Sequence, residues 1–237
     1  MDSLEQQATV VDLGAVYAEQ RRRIAELVRA LPAADLLVRC PTCPDWTVRD
    51  VVGHLTGLMS DVRTRNLAGL GTTEWTQAQV DAFAAYSLEA VLEAWTALAE
   101  PAERDFAGVV GAPGMRLISD AFTHEHDIRG AVRRPGGRES AAMAVALRVQ
   151  LDALATRLGD AALPGLELRC ADGGSFLVGP GEPAGVVEFP TTWDMLRTMC
   201  ARRSQAQLRA CSWQGVAAED YLDAFFRFAP PVADVAE

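Results

Sequence analysis

Three histidines occur in the chain, at positions 54, 124 and 126. Their spacing from other residues decides what chemistry they can do. In DAFTHEH (120–126), Asp120 precedes His124 by four residues. Four residues are about 40° around a helix, so carboxylate and imidazole can project together. His124 stands in the middle of an apolar stripe made by Leu117, Ala121, Ile128 and Ala131. On an earlier helical stretch His54 follows Val51 by three residues and precedes Leu58 by four, which puts it on the flank of a buried face. A buried carboxylate beside a buried imidazole needs compensation, and a divalent cation supplies it. His54, Asp120 and His124 from two facing helices would form a three-ligand site with room for water or substrate. His126 projects from another side of its helix. Asp127, one turn after His124, is placed to orient a ligand from behind. A plainer reading fits the same spacing: a satisfied core histidine and an ordinary i, i+4 helix contact. Spacing alone leaves both open.

Two other groupings invite chemistry. Cys40 and Cys43 form a C-x-x-C in CPTCPDWTVRDVVGHL (40–55). A thioredoxin-like dithiol needs a βαβ setting, and no strand is predicted ahead of Cys40. A zinc site needs a second ligand pair, but Cys170, Cys200 and Cys211 are singly spaced. Cys43 therefore reads as a small apolar residue in a tight turn, and both cysteines as bystanders. Arg202 and Arg203, in MCARRSQAQ (199–207), are candidates to hold an anionic group in bidentate fashion; a solvated basic helix end is the alternative. The chain has no G-x-S-x-G, P-loop or G-x-G-x-x-G.

The elements that must position these residues are mostly helices. Apolar residues from Leu13 to Leu31 fall at helical spacing, and Pro32 ends the run. Residues 32–46 read as a proline-bearing connection. A second helix starts at Thr47, whose pairing with Asp50 resembles a capping box. A third is predicted over 76–99, ahead of Pro101. GVVGAPG (108–114) reads as a loop. A fourth helix runs from about Met115 to Arg133, stopped by PGG (135–137), and a fifth spans 139–159. The character then changes. LELRC (166–170) and SFLVG (175–179) flank a hairpin turn at ADGG, GVVEF (185–189) is a third strand, and Thr191–Cys200 and Ala217–Phe228 read as helices. The expected fold class is α+β: a helical bundle over residues 1–160, then a smaller α+β domain over 161–237.

Composition excludes several classes. With 22 Lys and Arg against 32 Asp and Glu, the net charge is -10, which argues against nucleic acid or an anionic membrane as the main partner. The stretch MDSLEQQATVVDLG has no apolar core of signal-peptide length, and no uninterrupted apolar run is long enough for a membrane span. Five cysteines, an odd number, fit a reducing compartment. A cytoplasmic protein acting on a small molecule is the expectation.

Three stretches carry a resemblance. CPDWTVRDVVGHLTG (43–57) resembles the C-P-G-W-[ST]-V-x-D-x-x-x-H motif of the mycothiol-dependent maleylpyruvate isomerase family, within the DinB-like superfamily. DAFTHEHDIRGAV (120–132) is similar to its E-x-x-x-H-x-W-D-[IL]-R segment, and RRSQAQLRACSWQGVAAEDYLDAFFRFAPP (202–231) to its C-terminal end. The resemblance covers nearly the whole chain, in order. It implies a DinB-like four-helix bundle holding a divalent metal, commonly zinc, beside a domain similar to part of the sterol-carrier fold. The metal ligands it implies fall on His54, Asp120 and His124. It also implies mycothiol as thiol cofactor or cosubstrate, and an arginine of the smaller domain at the site, for which Arg202 and Arg203 are the candidates. The activity implied is isomerisation of a maleylpyruvate-like substrate or thiol S-transfer; a non-catalytic metal- or ligand-binding protein of the same fold is the alternative. Asp120 stands where the family usually has Glu, one methylene longer. His126 stands where Trp is common, and so is a second candidate to complete the ligand set.

Overall fold

The computed structural model describes residues 11–106 and 112–236. Asp12 caps the first helix by accepting from the Ala15 amide, and α1 runs Leu13–Arg29. A short antiparallel ribbon follows, β1 (Arg39–Cys40) and β2 (Cys43–Thr47). The connection expected at 32–46 therefore contains paired backbone; β1 has two residues, and β2, CPDWT, carries a proline and no apolar–polar alternation, so neither is legible as a strand. Thr47 and Asp50 form the expected capping box, each satisfying the other's backbone amide, and α2 spans Val48–Thr64.

The single helix expected over 76–99 is two, α3 (Thr73–Phe83) and α4 (Leu88–Phe106). Ser87 explains the break: its hydroxyl accepts from the Ala90 amide and starts a new helix. The Arg49 guanidinium then gathers the carbonyls of Phe83, Ala84 and Tyr86 at the gap. Pro101 lies inside α4 rather than beyond it. The turn after it is held from outside, because Ala102 is buried and Glu103 binds Arg21 of α1 at 2.8 Å.

Helix α5 spans Ala112–Ala131 and α6 spans Ala141–Asp160. Of the loop expected at 108–114, residues 108–111 lie outside the described residues, and 112–114 are the first turn of α5. Helices α1, α2, α4 and α5 pack as a bundle, with α3 against α2 and α6 against α5. Ile24, Val52, Leu55, Met59, Trp95, Ile118 and Phe122 fill its core.

Between Asp160 and Leu166 the chain passes from helix to sheet. Strands β3 (Leu166–Cys170), β4 (Ser175–Val178), β5 (Gly185–Phe189) and β6 (Ser212–Gln214) form one sheet in the order β4-β3-β5-β6. The β3–β4 hairpin is antiparallel, turning at Gly173 with φ 98°, while β3 and β5 are parallel. Alternation puts Leu166, Leu168, Val187 and Phe189 on the buried face. Helix α7 (Thr192–Met199) follows, then the short α8 (Gln205–Arg209) and α9 (Leu222–Phe225). The helix expected over Ala217–Phe228 is thus one 3-10 turn and one α-turn. A single hydrophobic cluster joins bundle and sheet, so α7 is free to send side chains into the bundle. Nine helices and six short strands give an α+β fold among the described residues. None of the described helices is long and apolar enough to cross a membrane.

Candidate metal centre

His54 lies on the second turn of α2, 3% exposed, and faces α5. There, Asp120 and His124 stand one turn apart on the same side, as the helical period requires. His54 Nε2 is 3.4 Å from Asp120 Oδ2, and His124 Nε2 is 3.9 Å from Asp120 Oδ1. One nitrogen or oxygen from each of the three lies within 4.8 Å of the others. Tetrahedral ligands at about 2.0–2.1 Å from zinc are about 3.3–3.4 Å apart, so these three would need to close by no more than about 1.5 Å. Asp120 Oδ2 is buried without a hydrogen-bond partner of good geometry, although the side chain as a whole keeps 35% of its surface. The free oxygen thus faces the histidines while the rest of the carboxylate meets solvent. A carboxylate with one unpartnered buried oxygen beside the His54 imidazole, and its other oxygen nearest the His124 imidazole, is a donor set that suits a divalent cation.

The back of His124 is fixed. Its Nδ1 is 3.0 Å from Asp127 Oδ2, an ion-pair contact outside hydrogen-bond geometry, and Nε2 is turned toward Asp120 and His54. Asp127 is 1% exposed and strongly compensated. Arg202 grips it through Nε at 3.0 Å and Nη2 at 2.8 Å, Arg197 donates through Nη2 at 2.7 Å, and the Thr42 hydroxyl donates at 2.8 Å. Burial would raise the Asp127 pKa, but Arg202, Arg197 and His124 hold it well below the usual carboxylate range. Against the same opposing burial, Asp120, Asp127 and Cys43 push His124 up to about 10. Without a metal, one imidazolium therefore sits between two carboxylates. Burial lowers the pKa of His54, and Asp120 offsets this only in part. Trp46 of β2 closes one wall, its ring 4.7 Å from that of His54 and 5.8 Å from that of His124.

A second grouping, Cys43, His124 and Asp127, is also close enough to hold a cation. Its carboxylate is already occupied by two guanidiniums and a hydroxyl, and a further positive charge there would meet Arg197 and Arg202 directly. Arg202 also acts on Asp120, but from farther away, and no hydrogen bond from a guanidinium to Asp120 is seen among the described residues, so His54, Asp120 and His124 are the better fit.

Other expectations take different places. His126 packs between Phe122 and Trp193, with ring centroids at 4.5 and 4.4 Å. It faces α7, away from His54, and burial with nearby Arg197 and Arg129 lowers its pKa to about 2. The two arginines expected to hold a substrate carboxylate, or to form a solvated helix end, are both buried and bind carboxylates of this chain. Arg202 clamps Asp127, and Arg203 donates to Asp194 at 3.0 Å. The reason is local: Ala201 in the left-handed conformation, φ 57°, turns the chain back after α7 and aims Arg202 into the bundle. Cys43 is nearer the site than a bystander, with Sγ 3.9 Å from Asp127 Oδ2. Sequence reasoning missed Arg197 and Thr42. Arg197 did leave a signal, because it shares the apolar spacing of Trp193, Leu196 and Cys200 on α7.

Residues 17–135, half of the chain, match the family described as the mycothiol maleylpyruvate isomerase N-terminal domain. The chain belongs to that family, and the matched stretch contains His54, Asp120 and His124. Among solved structures, the chain is similar to the mycothiol-dependent maleylpyruvate isomerase: 15% identity, TM-score 0.54, covering 79% of this chain and 87% of that one. It is also similar to a histidine-to-alanine mutant of a mycothiol-dependent maleylpyruvate isomerase, with 14% identity, TM-score 0.51 and the same coverage. At this identity the likeness is one of fold. Comparison with curated proteins gives no match.

Proposed function

We propose that this member of the mycothiol maleylpyruvate isomerase N-terminal domain family is a metal-dependent enzyme that works with a low-molecular-weight thiol, mycothiol. Its reaction is isomerisation of a small maleylpyruvate-like acid or, on the same site, transfer of the thiol sulfur. The observation that carries this reading is the convergence of the Asp120 carboxylate, one oxygen unpartnered, with the His54 and His124 imidazoles, the latter backed by Asp127. His54, Asp120 and His124 would hold the metal; two nitrogens and a carboxylate suit several divalent ions, and zinc is the one proposed. When bound, such a cation supplies a Lewis acid able to keep a thiol as thiolate near neutral pH.

The chain's own residues do the rest. The Asp127 carboxylate, 3.0 Å from His124 Nδ1, favours a proton on that nitrogen and so leaves the Nε2 lone pair for the site. Arg197 and Arg202 hold Asp127 ionised and fixed in place. We assign Arg202 as a positioning residue acting through Asp127 and His124, and Arg203 as a support of α7 through Asp194. Trp46 shields the imidazoles from water on one side, and the exposed part of Asp120 marks the side from which ligands enter.

The test is metal content after purification without chelator, for the wild type and for His54→Ala and His124→Ala. The wild type is expected to carry one zinc per chain and each variant far less, with circular dichroism confirming the fold. Equal metal in all three would refute the ligand assignment. Turnover of mycothiol with maleylpyruvate and with alkylating electrophiles then separates isomerase from transferase.

A further inference from the structure

The C-x-x-C is absorbed by none of this, yet the ribbon puts its two cysteines directly opposite one another. Cys40 and Cys43 are register partners across the antiparallel pair β1–β2, joined by Pro41 and Thr42. Opposed residues in such a ladder have Cα atoms about 4.5–5.5 Å apart, inside the range of about 4.4–6.8 Å that a disulfide spans. Cys40 is fully buried, whereas Cys43 is half-buried. Thr42 pins the turn to α5 through its bond to Asp127, so the ribbon presents a fixed pair.

We propose that Cys40 and Cys43 are a redox-active dithiol whose oxidant is a low-molecular-weight disulfide, with Cys43 the attacking thiol and Cys40 the resolving one. The Cys43 thiolate attacks one sulfur of the disulfide. The S–S bond breaks, a mixed disulfide forms on Cys43, and the first small thiol leaves and takes up a proton. Cys40, losing its proton to solvent, then attacks Cys43 Sγ and expels the second small thiol. Two protein thiols are oxidised and one disulfide is reduced to two thiols, so the exchange balances without another reactant. Closure takes the Cys43 sulfur from Asp127, at the back of the His124 ring. Nothing in this exchange needs a metal or isomerase activity, so it stands or falls apart from the proposed function.

The experiment treats the reduced full-length protein with bis(2-hydroxyethyl) disulfide, quenches it with acid and maps the peptides by mass spectrometry. Wild type is expected to lose one pair of thiols, as a Cys40–Cys43 disulfide. Cys40→Ser is expected to stop at the mixed disulfide on Cys43, and Cys43→Ser to leave Cys40 unmodified. The inference is overturned if Cys43 stays reduced in the wild type while the half-buried Cys211 is labelled, or if the mixed disulfide accumulates without closing. The wild-type map alone decides between these outcomes, so a variant that fails to fold does not rescue the idea.

Discussion

Replacing Asp127 by Asn removes one negative charge and almost no volume, so its effect reports charge rather than packing. The carboxylate has no exposed side-chain surface and lies 2.7 Å from Arg197 and 2.8 Å from Arg202. At an effective dielectric of about 20, unit charges about 4 Å apart attract by about 4 kcal/mol. Desolvation of the three ions cancels much of that in the wild type. In Asp127→Asn the cancellation fails, because both guanidiniums stay buried while their counter-charge is gone. Breaking a buried pair in this way costs about 3–5 kcal/mol. For a chain of this size, each 1 kcal/mol moves the melting temperature by about 2–4 °C, so a fall of about 6–20 °C is expected. The Asn side chain brings no charge to His124 Nδ1, and metal affinity should fall about 10- to 100-fold. Urea unfolding and competition with a zinc-binding dye read the two effects separately. A loss under about 1 kcal/mol together with unchanged zinc affinity would refute both the clamp and its role behind His124.

Two further outcomes follow from the same kind of accounting. Glu125 points to the opposite side of α5, fully buried, and accepts from Gln20 at 2.7 Å, Arg23 at 2.8 Å and Arg129 at 2.9 Å. Because both arginines remain partly solvated, Glu125→Gln should cost only about 2–3 kcal/mol in urea unfolding and leave zinc content intact; lost zinc would mean that the two faces of α5 are coupled. Tyr17 is buried against Trp95, whose indole donates to it at 3.1 Å, and burial raises its phenol pKa. A raised pKa stabilises the fold below the unfolded value of about 10, and that stability is lost as pH rises beyond it, by up to about 1.4 kcal/mol per pH unit. Tyr17→Phe should therefore show a shallower alkaline decline than wild type above pH of about 10, and parallel curves would show that Tyr17 ionises freely in the fold.

The histidine and carboxylate set was legible because it lies on long helices, where one period fixes both the face and the spacing. Asp120 and His124 are a turn apart on α5, and His54 stands on the flank of the α2 face turned toward them. The partners of Asp127 were less legible. Arg197 and Arg202 lie 70 and 75 residues away in sequence, and no local pattern says how α7 will dock. The break between α3 and α4 was hidden because Val80, Phe83, Leu88 and Val91 keep a helical rhythm across it, while the signal that ends it is one serine hydroxyl. The ribbon at Cys40–Cys43 was hidden because a two-residue strand has no alternation to read.

The charges around His124 explain why the sheet-bearing segment belongs to the same site. The family match ends at residue 135, yet Asp127 inside it is neutralised from 197 and 202. A bundle ending at Asp160 would bury that carboxylate with Thr42, Cys43 and His124 beside it and neither guanidinium. The boundary between helices and sheet is therefore not a boundary of the ion network. Asp127 stays ionised because of the arginines of α7 and the turn after it. The His124 imidazole of α5 is therefore backed by a charge that the bundle alone does not stabilise.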